Sequence, residues 1–196
     1  TERLSTKPPI DSLDILPVPS QVRSNAGKKA KRKGSQQERR LAKALSGWWG
    51  STFRRTPMSG GSVLKEDYVL AGDVSTADKS FRFHVESKKQ ECFGKFHNLF
   101  FKKTHPFWKW WEQCSHDCPE DRIPLLIFTR NYCPDFVAFE RKFLDCIEDD
   151  PSSERFIGSL SNGIHFVENL VIISMEDLFS LGKNRISNAS EKYFKT

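Results

Sequence analysis

The stretch Ser80-Phe81-Arg82-Phe83-His84-Val85-Glu86-Ser87-Lys88 decides the fold. Side chains of a strand alternate between its two faces. Phe81, Phe83 and Val85 share one face, which predicts a core beneath it. Arg82, His84, Glu86 and Lys88 share the other, and Gln90 joins them where the strand continues. Upstream, residues 68–74 read as the neighbouring strand of a hairpin, with Gly72-Asp73 near its end. Asp73 and Glu86 brought together repel one another unless a cation sits between them. Hard oxygen ligands of this kind favour Mg²⁺, with Mn²⁺ as a substitute, and such ions also take substrate phosphate. A lysine beside the ion can hold the attacking water and offset phosphate charge. These are the parts needed to hydrolyse a phosphodiester. The plain alternative is a solvated strand face on which Glu86 and Lys88 merely pair.

Working outward, Ser35 and Glu38 have the spacing of a capping box, so a helix is expected to start near Ser35. Glu38, Leu41, Leu45 and Trp48 then recur at helical spacing. Glu38 lies in line with the inward stripe, whereas Arg39 and Arg40 lie off it. A carboxylate on a burying stripe is costly unless paired or facing a metal or water; the alternative is an exposed first-turn acid that favours the helix dipole. Gly47 and Gly50 close that helix. Residues 51–56 form a strand carrying Arg54 and Arg55, and residues 57–61 a loop. Residues 123–129 make a short apolar run, as a central strand should. Residues 164–174 hold one or two more strands and residues 175–181 a short closing helix. The order predicts an α/β or α+β domain on a mixed sheet flanked by helices.

Composition bounds the function. Hydrophobic residues make up 37% of the 196, with 16 Phe and 5 Trp, so wholesale disorder is excluded. No apolar run reaches the roughly 20 residues of a membrane helix, and no secretory leader opens the sequence. Five cysteines at irregular spacing argue against a disulfide scaffold and for a reducing, intracellular setting. Residues 1–60 carry 13 Lys and Arg against 4 Asp and Glu, while residues 61–196 carry 18 against 21. The positive charge thus sits in the first third, which points to a polyanionic partner, DNA above all. Residues 1–33 read as an arm with four prolines and the basic run Lys28, Lys29, Lys31, Arg32 and Lys33. Residues 34–196 read as a single domain with an aromatic-rich helical insertion around 93–120.

Four motifs in order, Gly34-x-x-x-Glu38-Arg39, Arg55-x-Pro57-x-Ser59-Gly60, Gly72-Asp73-Val74 and Val85-Glu86-Ser87-Lys88, resemble the PD-(D/E)XK nuclease superfamily. Their order and residue types are most similar to archaeal-type and phage Holliday junction resolvases. The resemblance covers about residues 33–90 and the apolar strand near 123–128; Gly72 stands where the pattern usually has Pro. It implies a restriction-endonuclease-like fold. Asp73 and Glu86 would bind Mg²⁺ with the backbone carbonyl of Ser87, and Lys88 would orient water and the scissile phosphate. Glu38 would reach the metal through water or as a further ligand. Arg39, Arg55 and Ser59, with Lys89 and Gln90 at the strand end, would contact DNA. Such resolvases are symmetric dimers that act on branched DNA.

Other features have two readings each. Phe93 to Trp111 interleaves aromatics with lysines; this suits a base-stacking surface or, favoured by the 3,4 spacing of Phe93, Phe96 and Phe100, a cover for the sheet or a dimer contact. Cys114, His116, Cys118 and Cys133 suggest zinc but lack the paired Cys-x-x-Cys spacing, so ordinary reduced thiols are expected. His84 is read as a rim residue or substrate contact, and residues 148–150 as a solvated acidic loop. Besides the resolvase, two functions fit the sequence: another nuclease of the superfamily (restriction, repair, flap or exonuclease), or a non-catalytic nucleic-acid-binding or inhibitor protein on a nuclease-like fold.

Overall fold

The computed structural model describes residues 20–56, 72–90, 96–149, 160 and 163–195. The chain divides into two compact units, Thr1–Arg32 and Lys33–Thr196. The described part of the first is the beginning of helix α1, Ser20–Trp49. This helix starts 15 residues before the expected capping box, so Ser35 lies inside it. The sequence from Ser20 to Trp49 contains no proline and is rich in Lys, Arg, Gln and Ala, and those propensities carry the helix through Gly27 and Gly34. Gly47 also lies inside; the helix stops at Gly50, whose φ of 75° and N–H bond to the Ser46 carbonyl, 3.1 Å, end it.

In the second unit, β1 (Phe53–Arg55) pairs antiparallel with β2 (Val74–Thr76). A five-stranded sheet runs in the order β3 (Phe83–Lys89), β4 (Ile123–Thr129), β5 (Phe136–Glu140), β7 (Leu170–Ser174), β6 (His165–Val167). β3 and β4 are parallel and the other pairs antiparallel. The α+β architecture with a mixed sheet flanked by helices is the one expected. The hairpin differs at its described end: residue 72 meets Val85 through an isolated parallel bridge, and β2 begins only after Asp73; residues 68–71 of the expected strand and the expected loop at 57–61 lie outside the described residues. β5 and helix α3 (Arg141–Glu148) were not foreseen. Neither was α5 (Lys183–Tyr193), which follows α4 (Met175–Ser180).

Two apolar clusters lie against the sheet. One joins Leu41, Leu45 and Trp49 of α1 to Phe83, Val85, Leu125 and Ile127, with Phe143 and Ile186 from α3 and α5. The other joins Leu126, Phe128, Ala138 and Ile172 to Leu99, Phe107 and Cys114. β4 is buried along its whole length, which explains its unbroken apolar run. The second cluster is covered by a 3₁₀ turn, Phe96–Phe100, and by α2, Pro106–His116. Trp108, Trp110 and Trp111 are half-buried against it, so the described part of the aromatic segment is a cover for the sheet. Its first aromatic, Phe93, lies outside the described residues.

Asp78 ties the first cluster's periphery together. Its carboxylate accepts hydrogen bonds from Ser51 Oγ (2.6 Å), Trp49 Nε1 (3.2 Å), Lys183 Nζ (2.8 Å) and the Ser80 hydroxyl and N–H. Burial pushes its pKa up, but those donors outweigh it and hold the carboxyl well below the usual range. A carboxylate so held adds stability above its unfolded pKa, and that stability is lost as acid protonates it. Asp78→Asn is therefore expected to lower stability by about 2 kcal/mol at pH 7, with the deficit shrinking below pH ~4, as urea melts across pH will show. Gly72 makes a second, purely steric prediction. At its φ of 75° an added Cβ would stand 2.1 Å from the Val85 carbonyl oxygen, whereas at Gly50, also φ 75°, it would meet nothing within 4 Å. Gly72→Ala should cost about 3 kcal/mol or more and Gly50→Ala about 1 kcal/mol, compared by chemical denaturation.

Candidate active site

The site grows from the edge of the five-stranded sheet. In β3 the even-numbered backbone groups face β4: Ile123 N–H donates to the Arg82 carbonyl (2.8 Å), and Gln90 N–H to the Thr129 carbonyl (3.2 Å). The odd-numbered groups face the other way. The Val85 carbonyl accepts from Asp73 N–H at 2.7 Å, and Ser87 N–H donates to Asp73 Oδ2 at 2.8 Å. N–H and C=O of one strand residue point to the same side, so the Ser87 carbonyl also lies on the Asp73 side of β3. Asp73 is held from its own side too, since its carbonyl accepts from Thr56 N–H at 3.0 Å. The absence of a side chain at Gly72 permits this approach.

Glu86 and Lys88 project together from the opposite face to Val85. Lys88 Nζ donates to Glu86 Oε1 at 2.6 Å and to Gln113 Oε1 of α2 at 2.8 Å. Glu86 is buried although charged. Burial first, then Glu86 and Glu38, raise the Asp73 pKa to about 6 against the opposing pull of Ser87 N–H and Lys88. The acids thus form a region of negative charge that Lys88 and Ser87 N–H relieve only in part.

The other expected residues fall as follows. Glu38 sits on the inward side of α1, half-buried and ion-paired with Arg55, and it still acts on Asp73 by pushing its pKa up. Arg55, expected on phosphate, is thereby engaged within the protein. Arg39 is exposed on α1, and Lys89 and Gln90 are exposed at the end of β3. Ser59 lies outside the described residues. His84 is buried rather than on a rim, and neither ring nitrogen has a hydrogen-bond partner among the described residues; burial lowers its pKa. Cys114 is buried in the second cluster, where burial raises its pKa, whereas Cys133 is exposed in the β4–β5 turn. His116 is exposed beside Asp117. Among the described residues no group of three or more His, Cys, Asp and Glu converges as a metal site. The oxygens that could hold a metal at the sheet edge are the two carboxylates and the Ser87 carbonyl. Such a set fits a hard divalent cation that keeps several waters.

Gln113 was missed by sequence reasoning. It lies 25 residues beyond Lys88, on a helix, and no local pattern links the two. Arg40 was likewise read only as lying off the inward stripe; it bonds Gln37 within α1 at 3.2 Å and Asp135 of the β4–β5 turn at 2.6 Å.

No described helix is long and apolar enough to cross a membrane. Comparison with curated proteins and with solved structures returns no match. A family model described as "Phage putative PDDEXK endonuclease" matches residues 29–188. That span takes in Glu38, Asp73, Glu86 and Lys88, together with the five-stranded sheet that carries two of them. The match extends over most of the sequence, and the protein belongs to this phage PDDEXK endonuclease family.

Proposed function

We propose that the protein is a divalent-metal-dependent DNA endonuclease that acts on branched DNA, with the four-way junction as its substrate. The observation that carries the reading is the fixing of the Asp73 carboxylate on Ser87 N–H, beside Glu86 and Lys88. The family supplies the nuclease class. The four-motif resemblance to resolvases supports the junction, and a symmetric pair of chains would supply one site for each of two opposed strands.

Asp73 and Glu86, with the Ser87 carbonyl, would hold Mg²⁺, for which Mn²⁺ would substitute. When bound, the ion supplies Lewis-acid polarisation of the phosphate and a more acidic water. The chain's own residues do the rest. Ser87 N–H and the Gly72 approach keep Asp73 in place. Lys88, held between Glu86 and Gln113, presents an ammonium that offsets phosphate charge and orients the nucleophile. Gln113 contributes no charge and positions that ammonium. Arg55 offsets part of the charge of Glu38, so the negative charge is concentrated at Asp73 and Glu86. Arg39, Lys89 and Gln90 are exposed where backbone phosphates would approach.

Cleavage of a synthetic four-way junction with Mg²⁺ tests the reading. Asp73→Asn and Lys88→Ala should each cut at least about a hundredfold more slowly than native protein. If both cut as well as native, the site assignment is wrong; if linear duplex is cut as fast as the junction, the branched substrate is wrong. Gln113→Ala should lose roughly tenfold in rate, because the Lys88 ammonium loses a hydrogen-bond partner that positions it. Mg²⁺ binding has its own readout: added Mg²⁺ should raise the melting temperature of native protein and not of the Asp73→Asn variant. That variant should itself melt higher than metal-free native protein at pH 8, because it removes one of two mutually repelling carboxylates.

A further inference from the structure

Beyond the acids, the end of β3 opens into a cavity of about 500 Å³, within the range that ligand pockets occupy. Its walls come from α1, the end of β3, the β4–β5 turn at residues 130–135, and the start of α4. Lys89 lies on it, and Lys89 is the residue after Lys88, so the cavity begins one residue beyond the proposed catalytic lysine. The parallel register Lys88↔Phe128 and Lys89↔Thr129 brings the β4–β5 turn to the same end of the sheet.

The chemistry of this cavity is that of a nucleotide site. Three cations line it: Arg40, Lys89 and Arg130. Of the acids there, Asp135 is engaged by Arg40 at 2.6 Å, and Glu176 is the other. Lys89 and Arg130 are exposed. At the tip of the turn Tyr132 is fully exposed with φ 62°. A large aromatic ring at a turn tip, flanked by exposed cations, offers a face for a base and charge for the phosphates on either side of it. A base paired inside a duplex has both faces covered by its neighbours and presents only its edge, so the ring favours an unpaired one.

We propose that this cavity is a subsite for an unpaired nucleotide of the DNA substrate, with the Tyr132 ring stacked on its base and Lys89 and Arg130 on its flanking phosphates. The proposal rests on the reading of the protein as a DNA endonuclease, and it adds that the substrate has a frayed or single-stranded segment next to the bond that is cut.

The test is binding without cleavage. Fluorescence anisotropy in EDTA measures affinity for a labelled oligothymidylate of roughly 15 nucleotides and for a blunt duplex of equal length. Tyr132→Ala should weaken single-strand binding roughly tenfold or more and leave duplex binding unchanged. Tyr132→Trp should bind the single strand as native protein does. Arg130→Ala should reduce the salt dependence of single-strand binding by about 0.7 in the log–log slope. Because Tyr132 is exposed, thermal melts should show all three variants folded. If Tyr132→Ala binds both ligands as native does, or weakens both equally, the subsite is wrong. A protein with the expected binding pattern that cuts no DNA in Mg²⁺ overturns the endonuclease reading and leaves the subsite standing. One that cuts, with Tyr132→Ala binding like native, overturns the subsite alone.

Discussion

The hydrogen-bonded clasp between residue 73 and β3 is the constraint on which the site depends. Asp73 N–H meets the Val85 carbonyl, and the Asp73 carboxylate meets Ser87 N–H. Both partners are odd-numbered groups of an edge strand, left over once the even-numbered groups have paired with β4. An edge strand's unsatisfied backbone is ordinarily a hazard for aggregation. Here it is a ruler, since it sets the first carboxylate at a fixed place beside the second. The clasp in turn depends on Gly72, where a methyl group would collide with Val85. The departure from the usual Pro before the acid therefore has a physical counterpart in this chain.

Electrostatics then oppose the clasp. Burial and the neighbouring acids push the Asp73 carboxyl toward protonation, and Glu86 is buried as well. Lys88 answers part of this charge by pairing with Glu86, and Arg55 offsets part of the charge of Glu38. What remains is a pair of carboxylates with fewer cations than they need. Packing alone would favour an apolar pair at this position. Keeping the acids lowers stability in return for a place where positive charge is strongly attracted, which is the usual sign of a functional site.

The legible parts of this arrangement were the local ones. Period-two alternation in residues 80–88 placed Glu86 and Lys88 on one face, and an unbroken apolar run marked β4. The motif order supplied Asp73 as their partner. The illegible parts all depend on contacts distant in sequence. The hairpin was inferred from adjacency, but the chain makes its bridge to β3 in parallel and sends β2 to β1 instead. The helix start at Ser35 followed a capping spacing, yet a proline-free, Lys- and Ala-rich stretch outweighs one local cap. Gln113 could not be found because helix α2 meets Lys88 only through the packing of Phe107 and Cys114 on the sheet. His84 shows the limit of alternation: it marks which residues share a face, not whether that face meets solvent, and α2 covers this one.

The edge position also explains how so small a protein can serve a polymer. A central strand of an open sheet is walled by neighbours, and a ligand reaches it only end-on. Among the described residues β3 has β4 on one side and only the Gly72 bridge on the other. Asp73 is bound along that margin, whereas Glu86 is buried on the face that α2 covers. The C-terminal end of the same strand carries Lys88 and Lys89 toward the β4–β5 turn, so charge that attracts phosphate continues past the acids in the direction β3 runs. One strand thus sets both the position of the acids and the path by which an extended anion reaches them. The remaining four strands and their helices keep that strand straight and its odd-numbered edge exposed to its partner residue at position 73.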